Sequence, residues 1–167
     1  STETGRRFLR YAAESNIKKV TLEMGGKNPT IVLADADLKS AVENVANAAF
    51  FSTGQKCTAT SRAIVEDGIY DQFMEALVAR TKGLKVGNGM TPGIEIGPCV
   101  DKGQIETVLK YIEIGRAEGR LLVSGSAGPD FGYFVPPTVF ADVDRKARIF
   151  QEEIFGPVLA VTRARDF

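Results

Sequence analysis

Residues 63–82, AIVEDGIYDQFMEALVARTK, decide the fold class, because they place a short strand directly before a helix. The apolar run 63–65 is typical of a buried strand. From Ile69 to about Lys82 the apolar residues recur at helical spacing and predict one helix face, formed by Phe73, Met74, Leu77 and Val78. A strand followed at once by an amphipathic helix is the repeating unit of an α/β protein.

The same alternation continues towards the amino end of the chain. Ser1 or Thr2 caps a helix predicted to run to about Asn16. Short strands are then predicted over residues 20–23 and 30–33, on either side of a Gly- and Pro-containing turn. Asp35 or Asp37 is expected to cap the next helix, whose apolar residues continue to Gly54.

Towards the carboxyl end, residues 87–98 and 125–130 contain several Gly and Pro residues and are predicted to be loops. Between them lies a predicted helix with one apolar face, made of Ile105, Val108, Leu109 and Ile112. Strands are predicted over residues 121–123, 138–140 and 158–161. Strands alternating with helices favour an α/β fold with a mostly parallel open sheet and helices on both faces.

Composition describes one domain and excludes several classes of partner. The 167 residues are 44% hydrophobic and 25% charged, which is ordinary for a chain with a real core. Lys plus Arg and Asp plus Glu both number 21, so no basic surplus draws in nucleic acid or anionic lipid. No apolar run is long enough to cross a bilayer, and a cytoplasmic protein without membrane or nucleic-acid partners is expected.

The chain contains no histidine and only two cysteines, Cys57 and Cys99. A Ser-His-Asp or Cys-His site within this chain is therefore excluded, and no metal site is expected. Two widely separated cysteines do not form a CxxC redox pair and are interpreted as reduced thiols. Chemistry in this chain is expected to depend on carboxylates and a thiol.

Cys57 is the candidate nucleophile. A lone cysteine is more often a small buried hydrophobic residue, but this one follows Gly54, Gln55 and Lys56 on a predicted loop. Glycine there allows the backbone to approach a ligand closely. A cysteine reacts as its thiolate, which a cation, a helix terminus or an adjacent base favours. Cys99 is expected to be buried.

Glu23 is the candidate base. It is predicted to end a strand just before Gly25, and functional groups in open α/β sheets gather beyond the carboxyl ends of strands. A carboxylate withdrawn from water there takes a proton near neutral pH from a thiol or a water. The alternative is a structural ion pair with Lys19 or Lys27.

Two other segments contain candidate ligand groups. Glu153 and Phe155 lie in a predicted turn before the strand over residues 158–161, where a polar turn with a buried Phe is the alternative interpretation. Ser1 and Gly5 lie at a predicted helix start, where free backbone N–H groups bind an anion, although helix capping explains the same residues.

Four stretches together resemble the aldehyde dehydrogenase superfamily over the whole chain. Residues 21–29, TLEMGGKNP, resemble its glutamate motif, with Met24 where leucine is more usual. Residues 54–59, GQKCTA, resemble its cysteine motif, and residues 137–140 and 152–158 are similar to two further segments. The four occur in the family's order, which identifies the chain as a member.

The resemblance implies roles for the candidates. Cys57 is the nucleophile and Glu23 the general base, while Glu153 holds the nicotinamide ribose with Phe155 packed nearby. Ser1, Gly5 and Gly25 are assigned to cofactor binding. In the implied mechanism the Cys57 thiolate attacks an aldehyde, the thiohemiacetal passes hydride to NAD or NADP, and water activated by Glu23 hydrolyses the thioester.

The resemblance also implies that residues 1–167 are a single, truncated catalytic domain, which lacks the cofactor-binding domain and the C-terminal oligomerisation part. The isolated segment is expected to be inactive, and the full-length protein to be a homo-oligomer acting on a small aldehyde such as a semialdehyde. Two alternatives remain: a catalytically silent packing or interaction module, and residual ester hydrolysis by Cys57 with Glu23.

Overall fold

The computed structural model describes residues 1–125 and 128–166, and these residues adopt the predicted α/β fold. The predicted loop over residues 125–130 includes residues 126 and 127, which lie outside the described residues. The helices are α1 (Thr2–Glu14), α2 (Leu38–Phe50), α3 (Asp67–Lys82), α4 (Lys102–Glu118) and α5 (Arg148–Gln151). The strands are β1 (Asn28–Val32), β2 (Thr60–Glu66), β3 (Arg120–Ser124), β4 (Thr138–Ala141) and β5 (Val158–Ala164).

The five strands form one sheet in the order β1-β2-β5-β4-β3. Strands β1, β2, β5 and β4 are mutually parallel, and only β3 runs antiparallel, against β4. The amino ends of β1, β2 and β5 therefore meet at the same edge of the sheet. We call this edge, with the residues that precede these three strands, the amino edge.

Alternate residues of each strand pack on opposite faces of the sheet, as the two-residue period of a strand requires. On β5, Leu159 and Val161 pack with α2 and α3, whereas Val158 and Ala160 pack with α4 and α5. The same division holds on β4, where Phe140 is completely buried on the α4 face. Both faces of the central strands β4 and β5 are covered, which explains why these strands are largely apolar, whereas Ile31 on the edge strand β1 is exposed.

Helix α1 begins where predicted, with Ser1 as its N-cap, because the Ser1 hydroxyl accepts a hydrogen bond from the Thr4 N–H. Asp37 caps α2 in the same way, accepting from the Ser40 N–H at 2.9 Å. Within residues 1–125 and 128–166, no helix has the length and apolar character that a membrane span requires.

Three local predictions were wrong or incomplete. Residues 20–23 are not a strand: β1 is at the edge of the sheet, and these residues pair with no strand of the described chain. Instead, Leu22 and Met24 contact Gly5 of α1. Leu109 is exposed, because the buried face of α4 is formed by Val108, Ile112 and Gly115. The short helix α5 was not predicted.

Candidate active site at the amino edge of the sheet

Most of the predicted site residues converge on one open cavity. It has a volume of about 360 Å³ and is lined by Ser1, Glu23, Met24, Gly25, Cys57, Glu153 and Phe155. Such a volume lies at the lower end of the range for small-molecule sites. Gly5 is the exception: it is buried against Leu22 and Met24 and does not line the cavity.

The cavity lies at the amino edge, which corrects the expectation that chemistry gathers beyond the carboxyl ends of the strands. Glu23 and Gly25 precede β1, Cys57 precedes β2, and Glu153 precedes β5. Because these strands are parallel neighbours, the segments before them meet in space although they are far apart in sequence. The carboxyl ends of β1 and β2 border a mainly apolar hollow of about 280 Å³, whose lining also includes Glu66 and Asp166.

The Cys57 side of the cavity is exposed, not sealed in hydrocarbon. Cys57 lies in a turn between the 3-10 segment Phe51–Gly54 and β2. Its backbone N–H makes no hydrogen bond within residues 1–125 and 128–166. The thiol and a free N–H donor are thus presented on the same residue. The nearby Lys56 ammonium lies over the Phe51 ring at 5.8 Å from its centroid.

Backbone strain precedes the nucleophile. Ser52, Thr53 and Gly54 have positive φ angles of 53°, 61° and 65°, a conformation that is uncommon for the two residues with a Cβ. Gly54 is needed for a contact with protein and not with a ligand: a Cβ there would lie 2.3 Å from the Gly156 carbonyl oxygen. Such strained segments occur at functional sites, where neighbouring contacts hold them.

Those contacts come from the loop 97–100 and from the glutamate motif. The Thr53 hydroxyl donates to the Gly97 carbonyl at 3.0 Å. The Gln55 amide donates to the Pro98 carbonyl at 3.4 Å and accepts from the Val100 N–H at 2.9 Å. From the other side, the Asn28 amide donates to the Cys57 carbonyl and, at 3.4 Å, to the Ala59 carbonyl.

Residue type alone did not indicate that Asn28, Thr53 or Gln55 would support the nucleophile. Each acts through a backbone carbonyl or N–H of a distant segment, and such partners leave no pattern in residue type. The available signal was position: Asn28 and Gln55 lie inside the motifs that contain Glu23 and Cys57, and Thr53 directly precedes the second of them.

The Glu23 side of the cavity is held by fewer contacts. Glu23 is exposed, so it is not the desolvated carboxylate that was expected. Glu23 forms no ion pair with Lys19 or Lys27, so the alternative interpretation of Glu23 as a member of a structural ion pair with either lysine is excluded. The segment is fixed mainly where Met24 contacts Gly5 and where the Gly26 N–H donates to the Glu153 carboxylate at 3.1 Å.

Glu152 and Glu153 are neighbours in sequence but differ in environment. Hydrogen bonds from Arg148 and then from Tyr111 hold the pKa of Glu152 down to about 2. Glu153 instead faces the cavity, with its carboxylate against Gly25, where a Cβ would lie only 1.9 Å from Oε2. Glycine at position 25 is therefore required for this placement of the carboxylate.

Phe155 lines the cavity beside Glu153. Its φ is 57°, and 38% of its surface is exposed, so it is not the buried Phe of a simple polar turn. Gln104 at the start of α4 fixes this unusual backbone by donating to the carbonyls of Ile154 at 3.0 Å and Phe155 at 2.9 Å. The apolar ring is thereby presented beside the Glu153 carboxylate.

Cys99 differs from Cys57 in its exposure to solvent. It is buried, as predicted, and burial followed by the nearby Asp101 charge raises the pKa of its thiol. Its N–H donates to the Tyr133 carbonyl at 2.8 Å. Within the described residues no group of three or more Cys, Asp or Glu is arranged to hold a metal ion.

Comparisons with known proteins agree with this fold. The chain is 46% identical to the 1-pyrroline-5-carboxylate dehydrogenase 2 of Halalkalibacterium halodurans, covering 100% of this chain and 33% of that protein. A crystal structure of the gamma-glutamyl-gamma-aminobutyraldehyde dehydrogenase from Burkholderia cenocepacia superimposes with a TM-score of 0.95 at 46% identity, over 100% of this chain and 34% of that one.

A third relative has a bound cofactor. The Thermus 1-pyrroline-5-carboxylate dehydrogenase with bound NAD superimposes with a TM-score of 0.82 at 45% identity, over 86% of this chain and 28% of that one. The chain thus spans about a third of the length of the relatives it matches. The sequence profile described as "Aldehyde dehydrogenase family" matches residues 1–167, and the chain belongs to the aldehyde dehydrogenase family.

Proposed function

We propose that this chain contributes the nucleophile, the base and part of the cofactor site of an NAD(P)-dependent aldehyde dehydrogenase. The observation that carries the proposal is the shared cavity of Cys57, Glu23 and Glu153, which three separate segments bring together at the amino edge. These are one thiol and two carboxylates, the groups that covalent oxidation of an aldehyde needs in a chain without histidine.

The residues around Glu153 fit a nicotinamide riboside. A carboxylate accepts hydrogen bonds from both hydroxyls of a ribose, and Gly25 leaves room for that carboxylate at the cavity wall. The exposed Phe155 ring provides an apolar surface beside it. We assign Glu153 and Phe155 to this part of the cofactor, with Ser1 and Gly25 at the cavity wall. Bound NAD(P)+ supplies the acceptor for a hydride.

The chemistry of the chain's own residues has two halves. The Cys57 thiolate adds to the aldehyde carbon, and the Cys57 N–H is free to donate to the resulting oxyanion. Loss of hydride from that carbon leaves a thioester on Cys57. Glu23 then takes a proton from water as the water attacks the thioester carbonyl, the C–S bond breaks, and the acid leaves with the thiolate restored.

Exposure of Glu23 suits this role. An exposed carboxylate at the open side of the cavity has direct access to water, and it must act on water only after the thioester has formed.

The substrate class is a small aldehyde, in keeping with relatives named for 1-pyrroline-5-carboxylate and gamma-glutamyl-gamma-aminobutyraldehyde. We propose further that residues 1–167 form one unit of the catalytic domain.

The test replaces the matching third of the Halalkalibacterium halodurans enzyme with this chain and measures aldehyde-dependent reduction of NAD(P)+. The chimera is expected to turn over. Cys57→Ala should reduce turnover by at least about a thousandfold, whereas Cys99→Ala should leave turnover unchanged. A folded chimera whose activity survives Cys57→Ala would refute the assigned nucleophile.

A labelling experiment on residues 1–167 separates an active site from the silent module. Iodoacetamide at pH 7 should label Cys57 well before Cys99, because only Cys57 is exposed. Equal, slow labelling of both thiols in the folded chain would favour the silent packing module.

A further inference from the structure

Lys27 lies next to the candidate site and has an unusual environment for a lysine. It lies between the Gly26 that contacts Glu153 and the first residue of β1. Its ammonium nitrogen is completely buried, yet it has no hydrogen-bond partner within residues 1–125 and 128–166. A buried cation without partners destabilises a folded protein, and each native example calls for a physical explanation.

Charged groups on two neighbouring elements surround Lys27. Arg62 on β2 repels it, and Glu153 and Glu152 in the turn before β5 attract it. Burial is the dominant influence and, with Arg62, lowers the pKa of Lys27 to about 8, while Glu153 and then Glu152 oppose this shift. Neither carboxylate forms an ion pair with Lys27 within 4.0 Å.

The two carboxylates are not equally available to Lys27. Glu152 is bound by Arg148 at 2.9 Å and by the Tyr111 hydroxyl at 2.6 Å. Glu153 accepts one hydrogen bond, from the Gly26 N–H. The Arg62 guanidinium stacks on the Phe150 ring at 5.2 Å and donates from Nη1 to the Phe150 carbonyl at 3.4 Å, while its Nε is buried without a hydrogen-bond partner among the described residues. Of the two carboxylates, Glu153 therefore has the fewer partners, and it attracts Lys27 more strongly than Glu152 does.

We propose that Lys27 is a positioning residue for Glu153, whose buried charge holds that carboxylate at the cavity wall in the orientation that receives a ribose. The proposal rests on the function assigned above to Glu153. It links the glutamate motif to the cofactor site: the segment that contains Glu23 also contains the Gly26 N–H, which donates to Glu153, and the Lys27 ammonium, whose charge attracts the same carboxylate.

The proposal predicts that function and stability change in opposite directions. Lys27→Met keeps the length of the side chain and removes a desolvated charge, so the folded chain should melt at a higher temperature. The same substitution frees Glu153 and should weaken cofactor binding about tenfold. A lysine with a purely structural role would lower the melting temperature on replacement and leave cofactor binding unchanged.

The sign of the pH dependence follows from the lowered pKa. Between about pH 8 and the ordinary value of 10.5 the unfolded chain binds more protons at position 27 than the folded chain. Stability therefore rises with pH across this window relative to Lys27→Met. Below pH 8 both states are protonated, so the advantage of Lys27→Met is largest there and shrinks towards pH 10.

The first experiment titrates the Lys27 side chain by NMR in residues 1–167 and needs no cofactor. Glu153→Gln should lower the titration midpoint of Lys27, because it removes the larger of the two attractive charges. Glu152→Gln is the matched control and should lower it less. Equal midpoints in the parent and in Glu153→Gln would overturn the proposal.

The second experiment measures the dissociation constant of NAD(P)+ without aldehyde in the chimera. The parent should bind more weakly as pH rises through about 8, Lys27→Met should bind weakly at all pH values, and Lys27→Arg should lose the pH dependence. The exposed Lys82→Met is the control and should behave as the parent.

A Glu153→Gln chimera separates the two ideas. If Glu153→Gln weakens binding and Lys27→Met does not, the positioning role falls and the proposed function stands. If Glu153→Gln binds as the parent does, the assignment of Glu153 fails and the role of Lys27 falls with it.

Discussion

The Cys57 wall and the Glu23 wall of the cavity are held in very different ways. Around Cys57, side chains of Thr53, Gln55 and Asn28 fix the backbone by hydrogen bonds, and Gly54 packs directly on the Gly156 carbonyl. The Glu23 segment contains no regular secondary structure, and Glu23 itself forms no hydrogen bond or ion pair within the described chain.

The difference matches the two kinds of chemistry proposed. A nucleophile must meet the aldehyde carbon at a defined distance and angle, so displacement of its backbone by 1 Å is costly. A base that acts through a water molecule tolerates more freedom, because the water adjusts its own position. Rigidity is thus concentrated around the proposed nucleophile, and the following predictions test that division from the largest expected effect to the smallest.

Glu23→Gln should give the largest effect on the loosely held wall. Removing a general base slows its step by roughly 10² to 10⁴-fold. If Glu23 acts on water, the chimera should release a rapid burst of one equivalent of reduced cofactor and then turn over slowly. Stopped-flow absorbance separates the two phases.

The exposed Glu14→Gln on α1 is the control and should behave as the parent. If the burst were slowed as much as the steady-state rate, Glu23 would act on the Cys57 thiol. Glu23 would then have to be positioned as precisely as Cys57.

Gly54→Ala should give the largest structural effect on the rigid wall. The new methyl group would lie 2.3 Å from the Gly156 carbonyl oxygen at a φ of 65°, so both overpacking and backbone strain apply. Together they are expected to destabilise the chain on the order of 2–4 kcal/mol. Urea unfolding of residues 1–167 measures the change.

Gly89→Ala is the matched control, because no atom lies within 4 Å of its added Cβ. If Gly54→Ala and Gly89→Ala were equally stable, the backbone of residues 51–57 would have to shift more easily than its contacts indicate.

Tyr111→Phe should give the smallest effect, on the turn that both walls contact. Arg148 and Tyr111 hold the pKa of Glu152 at about 2, below its ordinary value of 4.5. A lowered carboxylate pKa stabilises the fold above about pH 4.5, and this stabilisation is lost as pH falls towards 2.

Tyr111→Phe is therefore expected to lower the melting temperature slightly at pH 7, less at pH 3, and hardly at all once pH falls below about 2. Tyr133→Phe, whose hydroxyl makes no hydrogen bond within the described residues, is the control. A larger loss at pH 3 than at pH 7 would contradict the role assigned to Glu152.

The secondary structure could be predicted from local sequence wherever burial is periodic. The apolar stripe that ends at Val78 and the caps at Ser1 and Asp37 depend on residues within a few positions of one another, so they appear in the sequence. Residues 20–23 did not follow this rule. They have the composition of a strand, but a strand also needs a partner, and sequence pattern does not reveal which strand is at the edge.

The sequence was sufficient to propose the candidate residues but not to show how they are arranged. The motifs identified Cys57, Glu23 and Glu153, yet their meeting at the amino edge depends on β5 lying beside β2, which no local pattern shows. The buried charge of Lys27 was missed for the same reason: its surroundings come from three segments that are distant in the sequence.

The sheet order has a consequence for how the chain acquires its structure. β5 follows the other four strands in sequence, yet it lies between β2 and β4 and joins the pair β1-β2 to the pair β3-β4. During synthesis on a ribosome the two pairs cannot become one sheet until residues 158–164 have emerged. The joining step spans more than 90 residues of sequence from β2 and is expected to be slow, because long-range strand pairing limits the folding rate.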